Sequence, residues 1–195
     1  TPNGTKVNYH MGQQPRMYGR MKESGCYQIT LACETGVQRV MDEVIGKKLD
    51  VSQISPAIEN AKKAGMFVHT FWIAGYPGET REEMERTIEF AAQSGADSYS
   101  VSILSPLPGT PIYRQVVEQD LWWPEVRGIQ DMTYRTSLVR VDGFSGPREF
   151  EKWVEQQNRY LRSLLGQRDP GRAAAYNAIS SARSLDPEQR TLKQT

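Results

Sequence analysis

The chain has 195 residues, with 24 Lys and Arg against 23 Asp and Glu, a formal net charge of +1, and 38% hydrophobic residues. This length can bury one sizeable core, and the near-neutral, mixed-sign balance carries neither a basic stripe for nucleic acid nor an acidic face for a basic partner. No apolar run reaches the roughly 18–20 residues of a bilayer span, the opening TPNGTKVNYH lacks an apolar signal core, and two cysteines make no disulfide framework, so a reducing cytoplasm is the expected location. The first residue is not Met, and TPNG reads as a turn, so the chain is expected to be part of a longer protein.

Taken in chain order, three short runs rich in β-branched and aromatic residues predict strands: YQITLAC (27–33), MFVHTFWIA (66–74) and SYSVSIL (98–104). Helical patterns lie between them. VQRVMDEVIG (37–46) places Val37, Val40, Met41 and Val44 on one face, and SQISPAIENAKKAG (52–65) places Ile54, Ala57, Ile58 and Ala61 together before Gly65. TREEMERTIEFAAQSG (80–95) opens with Thr80 and Glu83 at capping-box spacing and stops at Gly95. Strands alternating with helices in this way indicate parallel βαβ units.

Beyond these units the pattern changes. LWWPEVRG (121–128) reads as a loop whose exposed Trp122 and Trp123 cover a rim or line a substrate mouth, and TYRTSLVRV (133–141) as a further strand. SGPREFEKWVEQQNRYLRSLLG (145–166) predicts an amphipathic helix with Pro147 in its first turn and Gly166 at its end. Residues 171–185 predict one more helix, and the last ten look frayed.

The three strands end alike, in CETG (33–36), AGYPGET (74–80) and SPLPGT (105–110). Parallel α/β folds place ligand chemistry at such strand ends. Alternation puts Ile29, Leu31, Cys33, Val101 and Ile103 on an apolar face suited to helices. Gln28, Thr30, Ala32, Glu34, Ser100 and Ser102 fall on a small, polar face suited to a lumen. His69, Phe71 and Ile73 share the lumen side, where His69 either touches substrate or is a satisfied core histidine.

The three strand-end motifs, in this order and spacing, resemble the C-terminal half of a radical S-adenosylmethionine (SAM) core. The likeness is greatest to the group whose members often carry a cobalamin-binding domain ahead of that core. Family members read Glu-Ser/Thr-Gly after strand four, Ile-x-Gly-x-Pro-Gly-Glu-Thr after strand five and Pro-x-Pro-Gly-Thr-x-x-Tyr after strand six. The resemblance implies an α/β fold, half of a partial (β/α)6 parallel barrel over 1–115, followed by a mainly helical C-terminal extension over 116–195. It implies that Glu34 holds the polar end of SAM, that Lys47 meets its carboxylate (with Lys48 as the substitute), and that Ile73 and Gly75 form the adenine platform. Leu107 approaches the base from the neighbouring strand. The implied cofactors are SAM, a 4Fe-4S cluster and, in methyl-transferring members, cobalamin.

One departure is clear. The family's Cys-x3-Cys-x2-Cys cluster loop is absent, and Cys26 and Cys33 read as structural. The expectation is a truncated enzyme whose cluster ligands belong to the missing N-terminal half of the barrel, inactive alone, with β-strand 27–33 bare along its outer edge. Its substrate would be a small molecule or lipid-like. The alternative is a degenerate remnant that binds a ligand or a partner chain. WIAGYPGET (72–80) carries the distinguishing idea: Gly75 would lack a Cβ so that a bound ligand can approach the backbone.

Overall fold

Val68, Thr70, Trp72 and Ala74 are buried, while Phe67, His69, Phe71 and Ile73 between them are half covered. The same alternation runs through 98–103, so the two faces of the sheet have different partners. The computed structural model describes residues 4–126, 130 and 132–184. Its elements are β1 (Thr5–Lys6), α1 (Gln14–Glu23), β2 (Gln28–Glu34), a π-helical segment (Val40–Ile45), α2 (Ile54–Lys63), β3 (Phe67–Ala74), α3 (Arg81–Gln93), β4 (Ser98–Ile103), α4 (Pro111–Glu118), α5 (Pro147–Arg168) and α6 (Pro170–Ser184). The sheet runs β1-β2-β3-β4 with every pair parallel. It is a partial (β/α) barrel, as the sequence implies.

One face of the sheet is fully dressed. Ile29, Leu31 and Cys33 of β2, Trp72 of β3 and Val101 of β4 are buried with Ala57, Ile58 and Ala61 of α2 and Met84, Ile88 and Ala91 of α3. Removing this apolar surface from water, at about 25 cal/mol per Å², is the main favourable term. Trp72 keeps its indole N–H satisfied by donating to Thr70 Oγ1 at 2.9 Å. The capping box of α3 forms as its spacing predicts, with Glu83 N–H donating to Thr80 Oγ1 and Thr80 N–H to Glu83.

Several expectations need correction. β2 is not bare at its outer edge: Thr5 and Lys6 pair with Leu31 and Ala32. Two residues of TK carry no alternation to betray a strand, and the buried Val7 beside them anchors the segment. Residues 133–141 form no strand. Val139 makes an isolated antiparallel bridge with Trp122, and the Thr133 hydroxyl, bonded to Thr136 and to Arg135 N–H, bends the chain away before a ladder can grow. Trp123 is buried, its indole N–H on Ser137 Oγ at 3.0 Å. The predicted helix 37–46 widens into a π-helical turn over Val40–Ile45. α5 runs through Gly166 to Arg168, and the break falls at Asp169 because a residue before proline avoids helical backbone. Asp169 then caps α6 by accepting from Arg172 N–H. The last ten residues lie outside the described region.

The C-terminal helices close two sides of the sheet. β4 is an edge strand, and Asn158 of α5 occupies the place of a further strand: its amide oxygen accepts from Val101 N–H at 2.9 Å and its nitrogen donates to Val101 C=O at 2.8 Å. This is edge protection by a side chain. At the other end, buried Asp97 takes Val68 N–H, the guanidinium of Arg172 from α6 and, at 3.6 Å, Lys62 from α2. Tyr176 of α6 lies edge-on to Phe67 and bonds Ser98 Oγ, which also meets His69 Nδ1 at 2.6 Å. His69 is thus satisfied, and burial holds its pKa down at about 4. α6 therefore covers the N-terminal end of the half-open face.

Replacing Asn158 with Ala leaves both polar groups of Val101 without a side-chain partner. Stability in urea unfolding should fall by about 1–3 kcal/mol. An unchanged midpoint would mean that water replaces the amide without loss.

Candidate functional site

The ends of β2, β3 and β4 meet at one end of the sheet, and each is built by a different local device. At the end of β2 the register slips between Ala32 and Glu34, and Glu34 takes a left-handed φ of 67°. That conformation costs a non-glycine residue roughly 1–2 kcal/mol, and such strain concentrates at ligand sites. Thr35 holds the turn: its hydroxyl accepts from Val37 N–H and bonds Thr87 Oγ1 of α3. Glu34 forms an ion pair with Lys47. The pair forms because Gly46, at φ 68°, ends the π-helical segment and swings Lys47 back, with Lys47 N–H on Met41 C=O at 3.2 Å. Lys48, the sequence alternative, is exposed, and its carbonyl accepts from Asn8.

After β3 the chain makes the turn that WIAGYPGET announces. Glu79 organises it: one carboxylate oxygen accepts from Gly75 N–H at 2.9 Å and Tyr76 N–H at 3.1 Å. Its other oxygen is buried without a hydrogen-bond partner in the described structure. Glu79 is 1% exposed, and burial raises its pKa to about 7 despite the two amides. Arg39 clamps the turn from outside, donating to Gly78 C=O at 3.0 Å and to both oxygens of Glu83. Buried Tyr76 faces Glu34, and burial, reinforced by the Glu34 and Glu79 charges, pushes its pKa well above 10.

Ile73 points away from the helical layer, which Trp72 and Ala74 fill. It packs beside Val37, Val40, Tyr76 and Leu104, a small cluster across the strand ends. Ile73 and Glu34 therefore adjoin through Tyr76. Leu107 sits on the third turn, 55% exposed, above Thr110, whose hydroxyl donates to Leu107 C=O and caps α4. Leu107 makes no part of the Ile73 cluster.

Gly75 has a different physical reason from the one expected. A Cβ there would meet Phe150 Cε1 at 2.9 Å and Val141 Cγ2 at 3.2 Å, and φ is 91°. The side stripped of its Cβ faces the C-terminal extension, so the glycine serves the turn and the packing of α5, not the approach of a ligand on that side. Arg39, Tyr76 and Glu79 were missed as site residues. Glu79 could have been found: it precedes the N-cap Thr80, so its carboxylate cannot cap the helix and is free for the turn's own amides.

Among the described residues no three His, Cys, Asp or Glu side chains cluster as a metal site. Cys33 is buried on the helical face, with burial first and the Glu34 charge second raising its pKa, and Cys26 Sγ donates to Gln28 C=O. Neither fits a cluster-ligating thiolate. Among the described residues no helix is long and apolar enough to cross a membrane.

Comparison with known proteins gives a consistent picture. Residues 1–91 match the family model described as Radical SAM superfamily. The chain is 35% identical over 165 residues to cytidylyl-2-hydroxyethylphosphonate methyltransferase of Streptomyces wedmorensis, covering 82% of this chain and 30% of that one. It is 37% identical over 101 residues to an uncharacterised methyltransferase of Pyrococcus horikoshii, covering 52% and 22%. It is also 29% identical over 98 residues to the anaerobic magnesium-protoporphyrin IX monomethyl ester cyclase of Cereibacter sphaeroides, covering 50% and 16%. The chain thus spans less than a third of the length of these relatives.

Glu79 gives the site a signature in pH. Between its ordinary value of 4.5 and about 7 the folded chain holds a proton that the unfolded chain has lost, so this residue's contribution to stability falls as pH rises through that window. His69 acts in the opposite sense, losing stability as pH drops below 6.5. The clean readout is therefore the difference between wild type and Glu79→Gln. That difference should move against the wild type from pH 4.5 to 8, by up to roughly 3 kcal/mol. A flat difference would show that Glu79 stays charged when folded.

Proposed function

We propose that this chain belongs to the radical SAM superfamily, whose family model matches residues 1–91, and that its strand ends bind SAM for a radical SAM enzyme. The observation that carries the reading is the strained Glu34, paired with Lys47 and adjoining Ile73 around Tyr76. SAM offers a zwitterionic amino-acid end and a flat adenine. Glu34 matches its ammonium, Lys47 its carboxylate, and Ile73 offers an apolar face to the ring. The Glu34–Lys47 pair keeps both charges compensated until the zwitterion replaces it. Gly75 and Glu79 hold the turn that sets Ile73 in position, and Leu107 closes over the ring from the third turn. Bound SAM supplies the 5′-deoxyadenosyl group for radical chemistry, while the protein orients it and excludes water.

The described residues offer no ligand set for a 4Fe-4S cluster. In this reading those ligands come from an N-terminal half of the same barrel, seated on the β1 side of the sheet. Two relatives are named as methyltransferases, which supports methyl transfer as the reaction class, with cobalamin as carrier held by a domain outside these residues. The two-cysteine count favours a second reading, a non-catalytic ligand-binding module. Anaerobic reconstitution of the longer protein with iron and sulfide, followed by incubation with SAM and a low-potential one-electron reductant, separates the two: 5′-deoxyadenosine forms in the first and not in the second.

Glu34→Gln and Lys47→Met should each weaken SAM binding in equilibrium dialysis by about tenfold or more, the worth of one charge-assisted hydrogen bond. Thermal unfolding controls for folding. Wild-type affinity in both variants would overturn the assignment.

A further inference from the structure

Tyr76 ties the three strand ends together with one side chain. It is buried with Val37 and Val40 from beyond β2 and with Leu104 from the end of β4, and Ile73 of β3 packs against the same cluster. Its phenol is hydrogen-bonded to the Glu34 carboxylate. We propose that Tyr76 is a positioning residue that makes the site select a ligand with a zwitterionic amino-acid end, by fixing the direction in which Glu34 presents its carboxylate. The proposal deepens the SAM reading above and rests on it.

The carboxylate of a glutamate turns readily, because its terminal torsion has broad wells. One partner leaves much of that freedom in place, whereas two donors from different elements remove it. Lys47, after the π-helical segment, reaches Glu34 Oε1, and the Tyr76 phenol reaches the same carboxylate from the turn after β3. The two donors differ in what they can give up. The Lys47 ammonium ends a flexible stem whose side chain is 33% exposed, so it can swing to another anion. Tyr76 is 4% exposed and its backbone N–H is tied to Glu79 at 3.1 Å. Burial, with the Glu34 and Glu79 charges, keeps the phenol protonated, so it remains a donor while Lys47 moves.

This asymmetry sets the exchange that a zwitterion performs. Its carboxylate draws Lys47 away, its ammonium takes the vacated place on Glu34, and Tyr76 keeps the carboxylate aimed at that place throughout. The Glu34 side chain is only 15% exposed, and the exchange never leaves it as a desolvated charge without a partner. A ligand that carries adenine but no amino-acid end supplies neither charge. It leaves the Glu34–Lys47 pair intact and gains nothing from the phenol. Phenylalanine fills the same apolar place beside Val37, Val40 and Leu104 without offering a donor, so replacing Tyr76 by Phe isolates the hydroxyl from the ring.

The test is equilibrium dialysis of the full-length protein with SAM and, separately, with 5′-methylthioadenosine, which lacks the amino-acid end. Tyr76→Phe should weaken SAM binding by about tenfold, the worth of one hydrogen bond to a charged group, and leave 5′-methylthioadenosine binding unchanged. In a Glu34→Gln background the same substitution should cost SAM nothing further, because Tyr76 acts through Glu34. Equal weakening of both ligands would show that the side chain merely holds the turn and would overturn the proposal. Undiminished SAM affinity in Tyr76→Phe, or a fully additive loss in the double variant, would overturn it as well. Failure of the wild-type protein to bind SAM would instead strike the strand-end reading itself, and this proposal with it.

Discussion

A parallel sheet dressed with helices on one face only must present its other face to something else. Here the division is drawn residue by residue. Leu31, Trp72 and Val101 go into the helical layer, while Ala32, Phe71 and Ser100, laterally adjacent on the three strands, line the half-open side. An ordinary all-parallel sheet is covered on both faces and reads as continuous apolar strands. The Ser98-Ser100-Ser102 row on β4 is incompatible with such a cover. Small polar side chains on one face reserve a space, and the remaining architecture decides where that space is closed and where it is open.

The C-terminal helices make that decision. Arg172 latches α6 to Asp97 at the N-terminal strand ends, and Tyr176 covers Phe67 and Ser98. Asn158 seals the edge of β4 with two hydrogen bonds. Phe150 of α5 packs into the space where Gly75 has no side chain. A methyl group at that glycine would be strained twice, by the left-handed backbone and by the aromatic ring. The turn that carries Ile73 is therefore held from behind by the extension, from within by the Glu79 carboxylate and from outside by Arg39. The extension is part of the site's scaffold, although it contributes none of the strand-end residues.

The central strands and helices were legible because burial on one face imposes a period that local sequence must obey. Trp72 between Phe71 and Ile73, and Thr80 with Glu83, show that period and its caps directly. The Glu34–Lys47 pairing was reachable only through family motifs, since nothing local predicts that Gly46 turns Lys47 back. What escaped was set by distant contacts. β1 is two residues long and exists because β2 offers it a ladder. Residues 133–141 have strand composition, but threonine hydroxyls bend the chain before it can pair. Gly75 was rightly seen as a place where something comes close; that the something is Phe150, 75 positions later in the chain, has no signal in the motif itself.

Hydrogen exchange of the full-length protein, with and without SAM, tests the central claim most directly. Protection should appear in four separated segments, 33–36, 46–48, 73–80 and 104–110, because only the strand ends bring them together. Protection confined to the outer helical face or to α1, with these four segments unchanged, would contradict the account.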